Sequence, residues 1–192
     1  IITSIVALAV FFAVIIGGNI PLTIAVVLVI FALLYEMYTA VTKSNAARAA
    51  GYISAVLVLA GVYFGMLDAA IAAVIILTLI FTVFLHGKLD FKELFSVSFV
   101  SVYIPLFMSY IPRLSVDMGM RYAAFIFIIA WGSDTFAYFC GTFFGKHKLI
   151  PKVSPKKTVE GSAGALVAVM LLCMLYAFIM DRFDLHIGGV NP

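Results

Sequence analysis

Charge is what this chain has least of. Only 11% of its residues are Asp, Glu, Lys or Arg, while 65% are hydrophobic, and the mean hydropathy is +1.21. Soluble domains carry about 25% charged residues. A chain this apolar has more hydrophobic surface than one water-soluble core can hide, which excludes the ordinary globular classes and leaves embedding in a bilayer. The net charge of +3 is too small to mark a nucleic-acid partner. Cysteine is scarce as well. Cys140 and Cys173 lie in or at the end of apolar runs and read as small hydrophobes, not as a disulfide or a metal pair. His86, His147 and His186 are scattered without CxxC or HxxxH spacing, so a zinc site has no support. No basic stretch precedes the first apolar run, so no cleavable leader is expected.

What the chain does have is long apolar runs, at about 1–16, 20–35, 52–67, 69–85, 94–111, 120–140 and 162–180. They are too long and continuous for barrel strands. The expected fold is all-α: a polytopic integral membrane helix bundle of about seven transmembrane helices. It forms a single membrane domain over 1–192, in which the N-terminal helices of 1–111 precede helices at 120–180 that flank a loop at 141–161. Several runs fall short of the ~20 residues that span a bilayer. The first two read as short helices split at Gly17-Gly18-Asn19, with one re-entrant pair as the other reading. "GMLD" at 65–68 reads as the turn of a helical hairpin. The segment 36–50, "EMYTAVTKSNAARAA", reads as a plain connecting helix, with an interfacial helix as the alternative.

The positions of the charges give an orientation. Lys43, Arg48, Lys88, Lys92, Lys146, Lys148, Lys152, Lys156 and Lys157 fall on one side of this topology, and only Arg113, Arg121 and Arg182 on the other. The positive-inside rule puts the lysine-rich side, and the N-terminus, in the cytoplasm.

Three places could carry chemistry. Asp134 sits inside the apolar sequence "IIAWGSDTFAYFCG", and a carboxylate at membrane depth defaults to function. Trp131, Asp134, Tyr138 and Gly141 share one helix face, which predicts a small polar stripe facing the bundle interior. The competing reading is an Asp tied to nearby hydroxyls for packing alone. Gly141 and Gly145 form a GxxxG pair, a weak sign of close packing or a helix end.

The second place is 145–161. Pro151 and Pro155 disfavour helix and predict an ordered extended turn. Ser154, Thr158, Lys156 and Lys157 suit phosphate oxygens, and Glu160 suits Mg²⁺. A helix then opens at "TVEGSAG", and helix N-termini favour anions. A basic anchor facing the cytoplasm would need only the lysines. The third place, "DRFD" at 181–184, is a conceivable metal-binding turn, but it lies on the outer side and reads as a solvated loop.

Taken together, "WGSDTFAYFCGTFFGKHKLIPKVSPKKTVEGSAGA" (131–165) resembles the central part of the CDP-diacylglycerol synthase (phosphatidate cytidylyltransferase) family, in a prokaryotic form. The matching residues are Asp134, Ala137, Tyr138, Gly141, Gly145, Lys146, Ser154, Pro155, Lys156, Lys157, Thr158, Glu160 and Gly161. The family signature, a Lys-Asp pair and His-Gly-Gly before Asp-Arg-x-Asp, is not found. Asp181-Arg182-Phe183-Asp184 mimics only its last element. The main metal ligands are therefore expected beyond Pro192, and this chain alone is expected to be inactive.

The resemblance implies transfer of a cytidylyl group from CTP to phosphatidic acid, giving CDP-diacylglycerol and diphosphate, with Mg²⁺ or another divalent cation. Lys156 and Lys157 would neutralise phosphates, with Lys146 and Lys148 beside them. Ser154 and Thr158 would position phosphate oxygens or order the loop. Asp134 and Glu160 would hold the metal or orient the lysines. The setting implied is a bacterial inner membrane, with membrane lipids as neighbours, a homodimer as assembly and the active loop in the cytoplasm. Two rivals share these features: a CTP-dependent polyprenol or other lipid kinase, and a transporter for an anionic solute, though no inverted repeat is visible.

Overall fold

A computed structural model describes residues 2–84 and 90–183. His86, Lys88, Asp184 and His186, named above, lie outside the described residues. Within them the order is α1 (Ile2–Ile16), α2 (Asn19–Val41), α3 (Asn45–Phe64), α4 (Leu67–Phe84), α5 (Phe91–Met118), α6 (Met120–Phe144), β1 (Lys148–Ile150), β2 (Ser154–Thr158) and α7 (Val159–Phe183). The six helices α2 to α7 are long and apolar enough to cross a bilayer. With 15 residues, α1 reaches only about 22 Å at 1.5 Å per residue, short of a hydrocarbon core of about 30 Å. The chain is an all-α integral membrane protein. It divides into two compact units, Ile1–Arg113 and Leu114–Pro192, with α5 running across the division.

In the first unit, α1 and α2 part where the sequence predicts, at Gly17-Gly18, and Gly18 takes φ 88°, a conformation that favours glycine. Along α2, Leu22, Val26, Ile30, Leu34 and Tyr38 recur every fourth residue, and all are buried. Burial of Tyr38 requires a partner for its hydroxyl, which lies 2.6 Å from Ser101 Oγ. Ser101 in turn donates to the Val97 carbonyl at 2.6 Å.

The connecting helix expected at 36–50 does not exist as a separate element. Tyr38 anchors the last turns of α2 in the core, so the helix continues to Val41 and only Thr42-Lys43-Ser44 joins it to α3. Ser44 caps α3 by accepting from the Ala47 N–H at 3.3 Å. Arg48 donates to the Thr42 carbonyl at 2.7 and 3.1 Å, which ties down the break. The hairpin turn at 65–68 is as predicted. Gly65 ends α3 with φ 70°, and the Met66 N–H donates to the Gly61 carbonyl at 2.8 Å.

In the second unit, α6 and α7 pack as an antiparallel pair. The Tyr176 hydroxyl donates to the Arg121 carbonyl at 3.0 Å near one end. Gly132 meets Val169 and Leu172 midway, and Cys140 and Gly141 meet Gly164 and Gly161 at the other end. Small residues let two backbones approach closely where burial in water supplies no driving force. Both readings of the Gly141/Gly145 pair hold. Gly141 lies at the close crossing, and Gly145 ends α6 with its N–H donating to the Gly141 carbonyl at 3.1 Å.

Candidate functional site

The lysine-rich segment between α6 and α7 is a hairpin. The Val153 N–H donates to the Ile150 carbonyl at 3.1 Å, closing a four-residue turn with Pro151 in its second position. Lys148 pairs with Thr158 and Ile150 with Ser154, antiparallel, and the register shifts between the two pairs. Pro155 has no N–H to give to the ladder, so the strand carrying Lys156 and Lys157 is irregular there. The extended turn expected from the two prolines is thus realised as a pair of short strands.

Thr158 is buried where β2 becomes α7. Its Oγ1 accepts from the Gly161 N–H at 3.2 Å, which caps the helix, and the Ser162 hydroxyl donates to its carbonyl at 3.2 Å. Of its two expected roles, ordering the loop is the one this geometry serves. Glu160 is similarly engaged. Its carboxylate accepts from the backbone N–H groups of Lys146 and His147, each at 3.1 Å. His147 Nδ1 lies 2.6 Å from the same carboxylate. The Val159 N–H donates back to the His147 carbonyl at 3.0 Å. The base of the hairpin is therefore fastened to the first turn of α7.

Sequence reasoning passed over His147 as a scattered histidine. The signal was in the hairpin. If the strands fold about Pro151-Lys152 and residue 148 opposes residue 158, then residue 147 must face the start of the following helix.

Two cavities open beside the hairpin, and both are lined by Asp134, Ala137, Lys157 and Ser162. One, of about 270 Å³, lies under the hairpin and adds Tyr138, Ser154, Lys156 and Thr158. The other, of about 560 Å³, runs along the helix pair and adds apolar walls from Ile129, Leu166, Val169, Met170 and Cys173. A polar chamber and an apolar groove thus share one mouth, with a carboxylate and an ammonium group at it. The side chains of Asp134, Lys156 and Lys157 make no hydrogen bond or ion pair among the described residues. Lys146 and Lys148 are exposed at the hairpin base and line neither cavity.

Within the second unit, the stripe expected to face the bundle interior is not packed as a whole against α7. Trp131 is 49% and Tyr138 69% exposed, and Asp134 is exposed too. The seam with α7 passes through Gly132, Cys140 and Gly141, so of the four only Gly141 is packed at it. Among the described residues, no group of three His, Cys, Asp or Glu side chains could hold a metal ion. Asp181 and Arg182 lie in the last turn of α7.

A sequence profile of the cytidylyltransferase family matches residues 1–189. The chain belongs to the cytidylyltransferase family. A phosphatidate cytidylyltransferase from Bacillus subtilis (strain 168) is 32% identical over 115 residues, covering 59% of this chain and 42% of the relative. One from Staphylococcus haemolyticus (strain JCSC1435) is 33% identical over 122 residues, 62% of this chain and 45% of the relative. One from Aquifex aeolicus (strain VF5) is 34% identical over 112 residues, 55% and 43% respectively. The chain spans less than half the length of these curated relatives. In this cytidylyltransferase-family chain, the residues that carried the resemblance at 131–165 all fall in the second unit, around the hairpin and its two cavities.

Proposed function

We propose that the full protein containing this chain transfers a cytidylyl group from CTP to phosphatidic acid, giving CDP-diacylglycerol and diphosphate. The observation that carries this reading is the shared mouth: an apolar groove along two membrane helices joins a chamber lined by Lys156, Lys157 and Ser154. An amphiphile with a phosphate head and acyl tails fits such a pair of cavities. A small hydrophilic solute would have no use for the groove, and the names of the relatives favour transfer over transport.

In the reaction, a phosphate oxygen of phosphatidate attacks the α-phosphorus of CTP. The bond from that phosphorus to the oxygen bridging to the β-phosphorus breaks, and diphosphate leaves with the electron pair. Catalysis of this kind is mainly positioning and charge neutralisation. Lys157, at the mouth, would hold the lipid phosphate, and Lys156, in the chamber, the nucleotide phosphates. Ser154 offers a hydroxyl donor beside Lys156.

Mg²⁺ is commonly bound through one or two carboxylates together with substrate phosphates. Asp134 suits that role, because its carboxylate has no partner at the mouth. Glu160 suits it poorly, because its oxygens already accept three N–H groups. A bound divalent cation would spread the negative charge of the phosphates. The nine Lys and Arg residues that the sequence puts on one side of the expected topology favour a cytoplasmic hairpin, where CTP is, and the bacterial relatives favour the inner membrane.

The test is turnover of labelled CTP with phosphatidate vesicles by the full-length protein and its Lys157→Ala variant. CDP-lipid plus diphosphate from the wild type, with loss of at least about a hundredfold in the variant, is expected for a phosphate-neutralising group. Phosphorylated lipid plus CDP would make the protein a kinase, and wild-type rates from the variant would remove Lys157 from the site.

A further inference from the structure

His147 was absent from the sequence-derived site and lines neither cavity, yet it makes three of the contacts that fasten the hairpin. Its N–H and its Nδ1 both engage Glu160, and its carbonyl accepts from Val159. The geometry points to His147 and Glu160 as a latch. Together they lock the base of the hairpin to the first turn of α7 and so set where Lys156 and Lys157 stand over the mouth. The inference rests on the proposed function for its catalytic consequence, but the latch itself is a structural statement with its own readout.

The chemistry supports a positioning role. A carboxylate only accepts hydrogen bonds, so the 2.6 Å contact requires the proton on Nδ1 of His147. That fixes the ring orientation and leaves Nε2 in water, consistent with a side chain that is 78% exposed. Without the ring, Glu160 keeps its two backbone donors and loses the third. Exposed pairs contribute little to global stability, so the effect belongs in the placement of the strand and not in whether the protein folds. The lever is short. Thr158 is the last residue of β2, Lys157 precedes it, and Lys148, next to His147, is the residue paired with Thr158. A shift at the base moves the lysines directly.

The test compares the full-length wild type with His147→Ala, His147→Asn and His147→Gln in detergent micelles. Asn carries its Nδ2 donor close to where His carries Nδ1, whereas Gln carries its donor one bond further out. One readout is the rate of trypsin cleavage after Lys152 and Lys157, followed by mass spectrometry. The second is kcat and KM for CTP in cytidylyl transfer.

His147→Ala should raise cleavage about tenfold and lower kcat about tenfold, the size of one charge-assisted hydrogen bond. The melting temperature should stay within about 2 °C. His147→Asn should restore both readouts to within about threefold of wild type, and His147→Gln should not. A His147→Ala protein that matches wild type in both readouts would overturn the latch. So would Asn and Gln variants that fail alike, including the case in which the Ala variant does not fold. If the wild type makes no CDP-lipid, the proposed function falls, and the cleavage rates alone decide the latch.

Discussion

At Gly161 the two helices that hold the site meet backbone to backbone. A Cβ placed there would lie 2.8 Å from the Ala137 carbonyl oxygen, 2.8 Å from Thr158 Oγ1 and 3.0 Å from Gly141 Cα. Two of these three atoms are backbone, so no rotamer change relieves the contact. Overpacking costs about 1–3 kcal/mol, and the rigid surroundings place this case in the upper half of that range. Replacing Gly by Ala in a helix returns about 0.5–1 kcal/mol. Gly161→Ala should therefore lose about 1–2.5 kcal/mol net, or about 2–10 °C in melting temperature for a chain of this size. Gly132 is the internal control. Its added Cβ would meet Val169 Cγ2 at 3.3 Å and Leu172 Cδ2 at 3.5 Å, both side-chain methyl groups and neither of them backbone. Gly132→Ala should melt at or slightly above the wild-type temperature. The assay is thermal unfolding of the full-length protein in one detergent, with the proposed cytidylyl transfer measured below the transition. Because Gly161 also receives the cap from Thr158, its variant should lose turnover even while folded. Equal melting temperatures for the two variants would refute a close crossing at Gly161.

Two further outcomes test the assignment of roles. Thr158→Val keeps the shape of the side chain and deletes the hydroxyl that caps α7, so stability should fall by about 1 kcal/mol; a melting curve unchanged from wild type would mean that the cap contributes nothing. Asp134→Asn is nearly isosteric and exposed, so stability should change by less than about 0.5 kcal/mol, while CDP-lipid formation drops at least about tenfold. A variant that is less stable yet fully active would return Asp134 to a packing role.

The helices were legible because an apolar run of bilayer length has few other solutions. Their ends were less legible, because hydropathy falls before the helix does. Thr39 and Thr142 interrupt the apolar pattern but hydrogen-bond within their own helices, to the Glu36 carbonyl at 2.7 Å and the Tyr138 carbonyl at 2.8 Å. A hydroxyl satisfied in this way costs the helix little, and α2 and α6 continue past the points where polarity suggested they would stop. The hairpin was half legible. Two prolines exclude helix, but a first strand of three residues and a shifted ladder give no alternating pattern from which to read a pairing.

The two carboxylates show where sequence reasoning stops and why. Asp134 and Glu160 are chemically alike, and either suits a cation or a lysine. What separates them is hydrogen-bond supply. Glu160 follows a strand whose pairing brings Lys146 and His147, the two residues just before the partner strand, to it with two backbone N–H groups and an imidazole. Asp134 lies in mid-helix, where every nearby backbone N–H is already used by the helix itself. A carboxylate in that position must find its partners in a ligand, a cation or water. The same pairing that engages Glu160 at the hairpin base therefore leaves Asp134 as the acid lining the two cavities, and it does so through a register that no single residue type encodes.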